Sequence, residues 1–367
     1  MSDGSMASLT RRSRIPLLVA LGALVFYGVT LSRGVTINSL PLTAKIAGWD
    51  WLPSTGQPLL WLLTLPLRLL PAAWVPAGLN FFSATTAALT LGLLARTVQL
   101  LPWDRSFENA SRLAVTLPVL LVCVVCGLEF SFWQEATAAT GEMLDLLFLA
   151  TSLWLLLEYR VRRESHWLDA AVFVWGLGMA ENWLMLLALP LFVGGVIWLH
   201  GFRFFLHRRV VEKVSGEETW LHGLFLFPVN FLLRLAGLGL AGFSVYALLP
   251  LVNGLAPHSP WNLDQSWHAS LKQTKNIIVL LYRQFWMNHR LLTVAVVIYF
   301  LVPSLPCLVR LRNDEGTGYK SEVDRFQLWI YRSLRLTLLL ACLWLAFDPV
   351  NDRGSLFTAS WPFRRHC

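Results

Sequence analysis

Long apolar runs alternate with short polar connectors along this chain, a pattern that predicts membrane-crossing helices and no sheet. Runs suited to crossing a bilayer lie at 15–32, 79–95, 113–128, 143–157, 169–180, 184–199, 223–250, 291–309 and 328–347. A helix needs about 20 residues to cross a hydrocarbon core of about 30 Å. The runs 169–180 and 184–199 are short for that, which suggests a broken or tilted hairpin. A further stretch, 57–75, contains Pro58, Pro66, Arg68 and Pro71, a poor composition for a helix facing lipid. Charge in the connectors decides where it goes. If 57–75 lies flat on the membrane, the loops 1–14, 96–112, 158–168 and 200–222 share one side and hold thirteen Lys and Arg. The opposing segments 33–78, 129–142 and 181–183 then hold three. If 57–75 crosses, this asymmetry collapses, so the positive-inside bias favours an interfacial helix.

The predicted architecture is therefore all-α and polytopic, with about nine transmembrane helices and a cytoplasmic N-terminus. One transmembrane domain covers 1–347, and an irregular basic tail covers 348–367. The extracytoplasmic side carries the loops 33–78, 129–142 and 251–290 and the turn 181–183. The polar stretch 310–326 falls on the cytoplasmic side. Arg11, Arg12 and Arg14 precede the first run, and no small-residue cleavage site ends it, which reads as an uncleaved signal anchor.

Composition agrees. Of 367 residues 56% are hydrophobic and 14% charged, against about 25% charged in soluble domains. That excludes a conventional soluble enzyme, a disordered regulator and a disulfide scaffold. The net charge of +8 is spread between apolar runs and forms no long patch, so nucleic acid is not an expected partner. Cys123 and Cys126 lie inside an apolar run with no second CxxC and no His nearby, so they read as packing residues and no metal site is expected.

Candidate chemistry collects on the extracytoplasmic side. Asp50, between Trp49 and Trp51, reads either as a general base or substrate anchor, or as a solvated turn acid in the interfacial aromatic belt. The segment 129–145 is the densest acidic stretch and has no Lys or Arg. At 3.6 residues per turn Glu135, Glu142 and Asp145 are expected near one helical face. They read either as a site opening into a cavity or as acids offsetting a helix macrodipole. Asn182, beside Glu181 at the hairpin tip, would bind a hydroxylated ligand or satisfy a helix end. Lys272, Lys275, Arg283 and Arg290 are cations on the face where few are expected. They read as ligands of a lipid phosphate or as one side of an amphipathic helix near the headgroups.

These segments resemble the GT-C membrane glycosyltransferases, and within them the protein O-mannosyltransferase-like group, whose bacterial members are mostly uncharacterised. That group reads W-D-S-G-E, then H-P-P-G-x-P-L, then F-W-x-x-A-x-x-A-E-x-Y, then a G-x-x-x-x-N-H turn. This chain offers Asn38-Ser39-Leu40-Pro41, Pro53-Ser54-Thr55-Gly56-Gln57-Pro58-Leu59, the segment from Phe132 and Trp133 through Thr140 to Glu142, and Gly178-Met179-Ala180-Glu181-Asn182-Trp183. The resemblance covers roughly the first 270 residues. It implies a GT-C-like fold in a bacterial inner membrane. It also implies a sugar donor carried on a polyprenyl phosphate, a protein or glycan acceptor, contact with membrane lipids and no cofactor.

The departures are specific. Asn38 stands where the group carries the loop Asp expected to deprotonate the acceptor, Pro41 replaces the following Glu, Pro53 the His, and Thr140 the second-loop Glu. An amide cannot take up a proton as a carboxylate does. The expected catalytic residues are therefore Asp50, Glu135 and Glu142. Asn38, Asp145, Asn182, Lys272, Lys275 and Arg283 are the expected substrate-binding residues. Relatives usually continue further, which implies a shortened member. The competing reading is a catalytically silent or truncated relative that binds lipid-linked sugar or serves as an assembly partner. A transporter fits less well, because the acids cluster near one surface and no repeat is evident.

Overall fold

The computed structural model describes residues 14–50, 53–100, 112–183, 185–200, 229–256 and 259–283. The runs 291–309 and 328–347, the stretch 310–326, Arg290 and the tail lie outside them. The chain divides into two compact units, Met1–Val279 and Leu280–Cys367, and the described residues fall almost wholly in the first.

Every element among the described residues is helical. In order they are α1 (Ile15–Val29), α2 (Leu40–Ile46), α3 (Pro58–Thr64) running into a 3-10 turn (Leu65–Leu69), α4 (Val75–Leu100), α5 (Arg112–Leu128), α6 (Phe130–Thr137), α7 (Glu142–Arg162), α8 (Ser165–Glu181), α9 (Met185–His200), α10 (Val229–Phe243), a 3-10 turn (Ser244–Ala247), α11 (Leu248–Leu255) and α12 (Leu263–Tyr282). Two of the described helices are long and apolar enough to cross a membrane, Val75–Leu100 and the continuous stretch Val229–Leu255. The pair α5 and α6 makes a third only if taken as one span bent by 67°. The stretch Pro58–Leu69 is apolar but short. At 1.5 Å per residue it reaches about 18 Å, less than a bilayer core.

The bundle is assembled around α4, which packs against α1, α5 and α7, while α8 packs against α7 and α10. Close approach depends on small residues. A Cβ at Gly92 of α4 would stand 2.9 Å from the Ala20 side chain of α1. Between α8 and α10 the backbones touch: a Cβ at Gly176 would meet the Gly239 carbonyl oxygen at 2.2 Å, and one at Gly242 the Phe173 carbonyl oxygen at 2.3 Å. Tyr27 is fully buried and donates its hydroxyl to the Gly127 carbonyl at 2.8 Å, joining α1 to the end of α5.

Ionic ties sit at particular ends of this frame. Glu158, near the C-terminus of α7, accepts from Arg96 Nη2 at 2.6 Å and from Arg162 Nε at 3.0 Å. Arg160 and Arg163 donate to the Leu100 and Leu199 carbonyls, at the C-terminal ends of α4 and α9, where a cation complements the helix dipole. Arg234, deep in the 223–250 run, is hydrogen-bonded to Asp169 of α8.

Candidate functional site

At the other end of α4 the two early loops are joined. Asn80, 1% exposed, donates to the Ser32 carbonyl at 2.7 Å and the Gly34 carbonyl at 3.2 Å, and accepts from the Ala139 amide at 3.0 Å. The Ser32 amide donates to the Thr137 carbonyl at 3.3 Å, and Trp133 Nε1 to Thr30 Oγ1 at 3.2 Å. Ile46 of α2 and Ala139 share one apolar cluster with Val75 and Leu79. Loops 33–78 and 129–142 therefore meet at one end of the bundle. Sequence reasoning missed Asn80, although an amide opening an apolar run was a signal for it.

Local conformation shapes the second loop. Ala138 is extended (φ −132°, ψ 135°) and Gly141 takes φ +95°, where only glycine is unstrained, so α6 ends before α7 begins. This corrects one expectation. Glu135 lies on α6, whereas Glu142 and Asp145 open α7, so the three do not share a helical face. A uniform 3.6-residue period does not run through a break that one glycine creates. Gly141 also packs tightly, since a Cβ there would lie 2.6 Å from Leu60 Cδ2.

Glu181 is the hub of this end. Its carboxylate, 5% exposed at the last residue of α8, accepts from the Leu59 amide at 2.7 Å and the Leu60 amide at 3.1 Å. Pro58 opens α3 and has no amide hydrogen, so the next two amides are the ones a cap can reach. Burial pushes this carboxyl up to about 7, against the downward pull of the two amides. Next in sequence, Asn182 donates Nδ2 to Asp145 Oδ2 at 2.5 Å. Asp145 Oδ1 is shielded from solvent and has no hydrogen-bond partner among the described residues. Of the two readings of the hairpin tip, a ligand contact or a helix end satisfied, Glu181 fills the second at the start of α3, and Asn182 braces α7 through Asp145.

Glu135 is half-buried, and its Oε2 accepts the hydroxyl of Thr140. Burial raises its carboxyl above the ordinary range, and the Thr140 hydrogen bond lowers it only in part. Asp50 is half-buried near Lys45, whose ammonium is held below its usual range by burial although Asp50 pulls it up. Asn38 is half-buried at the start of the same loop. Glu142 is half-buried in the first turn of α7.

The 53–57 segment is held from the other side. Asn253 Nδ2 donates to the Ser54 carbonyl at 2.6 Å, and Thr55 donates its hydroxyl to Gln273. Gln273 and Thr274, with Ser266 and Ser270, are turned inward on α12, while Lys272 and Lys275 are exposed on its outside, and Arg283 is exposed beyond the helix end. The structure therefore brings Asp145, Asn182, Glu181 and the start of α3 together, and it leaves Lys272 and Lys275 exposed on the outside of α12. No group of three or more His, Cys, Asp or Glu able to hold a metal occurs among the described residues.

Residues 46–201 match the family model described as the Protein O-mannosyl-transferase TMEM260 N-terminal domain. No curated protein and no solved structure matches the chain. The matched stretch holds Asp50, Glu135, Glu142, Asp145 and Asn182, while Asn38, Lys272, Lys275 and Arg283 lie outside it.

Proposed function

We propose that this chain is a membrane glycosyltransferase of the O-mannosyl-transferase type, with Glu135 as the base that activates the acceptor. The observation that carries the assignment of the base is the Glu135–Thr140 hydrogen bond. Thr140 occupies the position where the resembling group carries its second-loop Glu. Glu135, five residues earlier, places a carboxylate against that same position. The chain folding back after α6 thus supplies a carboxylate there from another residue. A partly buried carboxylate whose pKa is raised by burial is a stronger base than a solvated one.

In the proposed reaction, the acceptor hydroxyl gives its proton to Glu135 as its oxygen bonds to the anomeric carbon of the sugar. The bond from that carbon to the phosphate oxygen breaks, and the electron pair leaves on the phosphate of a polyprenyl-phosphate donor. Asp145, held by Asn182 and with its other oxygen lacking a partner among the described residues, is the proposed anchor for a sugar or acceptor hydroxyl. Glu142 and Asp50 remain secondary candidates for the base. The proposed topology keeps about nine spans, with both loops facing the extracytoplasmic side.

Transfer from a labelled polyprenyl-phosphate mannose to a hydroxyl acceptor tests this. Glu135→Gln should lower the rate by about 10²- to 10⁴-fold, the usual contribution of a positioned base. Adding Thr140→Glu to that variant should restore part of it, because the carboxylate returns to nearly the same place. Donor binding with no transfer, unchanged by Glu135→Gln, would favour the silent lipid-sugar binder instead.

A further inference from the structure

Helix α12 arranges its residues in an order that water alone does not explain. Ser266 and Ser270, each 1% exposed, face the protein. So do Gln273, bonded to Thr55, and Thr274, whose hydroxyl lies 2.7 Å from that of Tyr246. The outward side is apolar: Leu263 is 44% exposed, Trp267 40%, Leu271 44% and Ile278 42%. At 3.6 residues per turn these four occupy an arc of about 80°. Its first edge is shared with buried Thr274, and Trp267 there also meets the Tyr246 ring. Next round the helix come Asp264, Lys275, His268 and Lys272, all exposed, with Val279 the one apolar residue among them. The circuit thus runs from protein contact, through an edge where Leu263 and buried Thr274 overlap, to exposed apolar surface, then to charge, then past exposed Gln265 and Asn276 back to protein.

The neighbouring span indicates what covers the apolar arc. Val229–Leu255 is long and apolar enough to cross a bilayer, and only 17% of its most apolar window is buried within the protein. Its last turns expose Leu251, Val252 and Leu255. Helix α12 begins against that end, where a Cβ on Gly254 would stand 2.5 Å from Leu263 Cα. The apolar arc therefore continues the lipid-facing surface of a span at the point where the span ends. Trp267 suits that depth, because its ring is apolar and its indole N–H polar.

We propose that α12 lies along the membrane boundary with Leu263, Trp267, Leu271 and Ile278 in the acyl region, and that Lys272 and Lys275 bind the phosphates of anionic phospholipids. This goes beyond the transferase reading and stands without it. Polar residues face the protein because the apolar ones face lipid. The two ammonium groups stand on the charged side that follows the arc, Lys275 about 40° and Lys272 about 100° past Leu271, and their long stems let both reach headgroup phosphates.

The test uses the full chain, freed of its native cysteines and reconstituted in vesicles of phosphatidylcholine with phosphatidylglycerol. Bimane is placed by Leu271→Cys, Ile278→Cys or Lys272→Cys. Positions 271 and 278 should be quenched by spin-labelled lipid acyl chains and protected from iodide, with position 272 showing the reverse. Near position 271, spin-labelled phosphatidylglycerol should quench several-fold better than the phosphatidylcholine analogue. High salt or Lys272→Gln with Lys275→Gln should abolish that preference. Both lysines are exposed, so the double variant should fold normally, as elution in the wild-type position would show. Iodide reaching 271 and 278 as readily as 272 overturns the proposal, and protection from both quenchers does so in favour of a protein covering. Equal quenching by the two lipids removes the role assigned to the lysines.

Discussion

A carboxylate that accepts from two successive amides has both oxygens committed, and Glu181 is in that position at the first turn of α3. Its carboxyl is raised from 4.5 to about 7 by burial, so the folded chain holds this proton more tightly than the unfolded one. Between those two values the folded state binds more protons, and stability must fall as pH rises through the window and level off above it. Thermal unfolding in detergent at pH 5 and pH 7.5 should show this loss in the wild type and a smaller one in Glu181→Gln. Glu181→Ala, which leaves two buried amides without an acceptor, should cost about 1–3 kcal/mol at either pH. Gly141→Ala is a separate residue-scale case. Its φ of +95° and a Cβ 2.6 Å from Leu60 combine backbone strain with a clash, and a loss of about 1–3 kcal/mol in thermal or denaturant unfolding is expected.

At the scale of elements, the α8–α10 pair depends on absent side chains. Gly176 and Gly242 each meet the partner backbone at under 2.5 Å once a Cβ is added. Neither contact is with a flexible side chain that can swing away, so the helices must separate. Gly176→Ala and Gly242→Ala should therefore each destabilise the protein more than Gly237→Ala, where a Cβ meets nothing within 4 Å. Comparing the three melting temperatures checks it. Helix α7 shows a different principle. It is 21 residues long, about 31 Å, with Glu142 and Asp145 in its first turn and Arg160 and Arg162 in its last. Acids at the start and cations at the end both oppose the helix dipole. The dipole reading of the acids and the site reading are thus compatible: Asp145 is in the first turn and is also held by Asn182.

For the whole molecule, the meeting of the two early loops matters most. Asn80, the Ser32–Thr137 bond and the shared cluster of Ile46 and Ala139 bring them to one end of α4. Single cysteines replacing Asp50 and Glu135 should react with an impermeant thiol reagent from the same side of oriented vesicles. Labelling from opposite sides would end the proposed site.

The helical class and the places of the long apolar helices were legible in the sequence, because apolar runs report local preference directly. The helices Leu40–Ile46 and Phe130–Thr137, however, fell in stretches read as loops, and Val75–Leu100, Glu142–Arg162 and Ser165–Glu181 extend past the apolar runs 79–95, 143–157 and 169–180. The second-loop acids were legible as a group, since charges bordering an apolar run stand out. Their arrangement was not, because the extended Ala138 and left-handed Gly141 break a period that the composition carries on unbroken. Charge pairing was hidden as well. Glu158 meets Arg96 across 62 positions, and Arg234 meets Asp169 across 65, and separation along a chain says nothing of contact across it.

By itself, the sequence determined that this chain is helical, apolar enough for a membrane, and acidic at chosen loop positions, because these follow from residue type and spacing. Only the tertiary structure decided which polar groups meet: Glu181 on the start of α3, Asn182 on Asp145, Glu135 on Thr140. Those contacts join residues brought together by helix packing and by single backbone reversals, and neither is written in local periodicity.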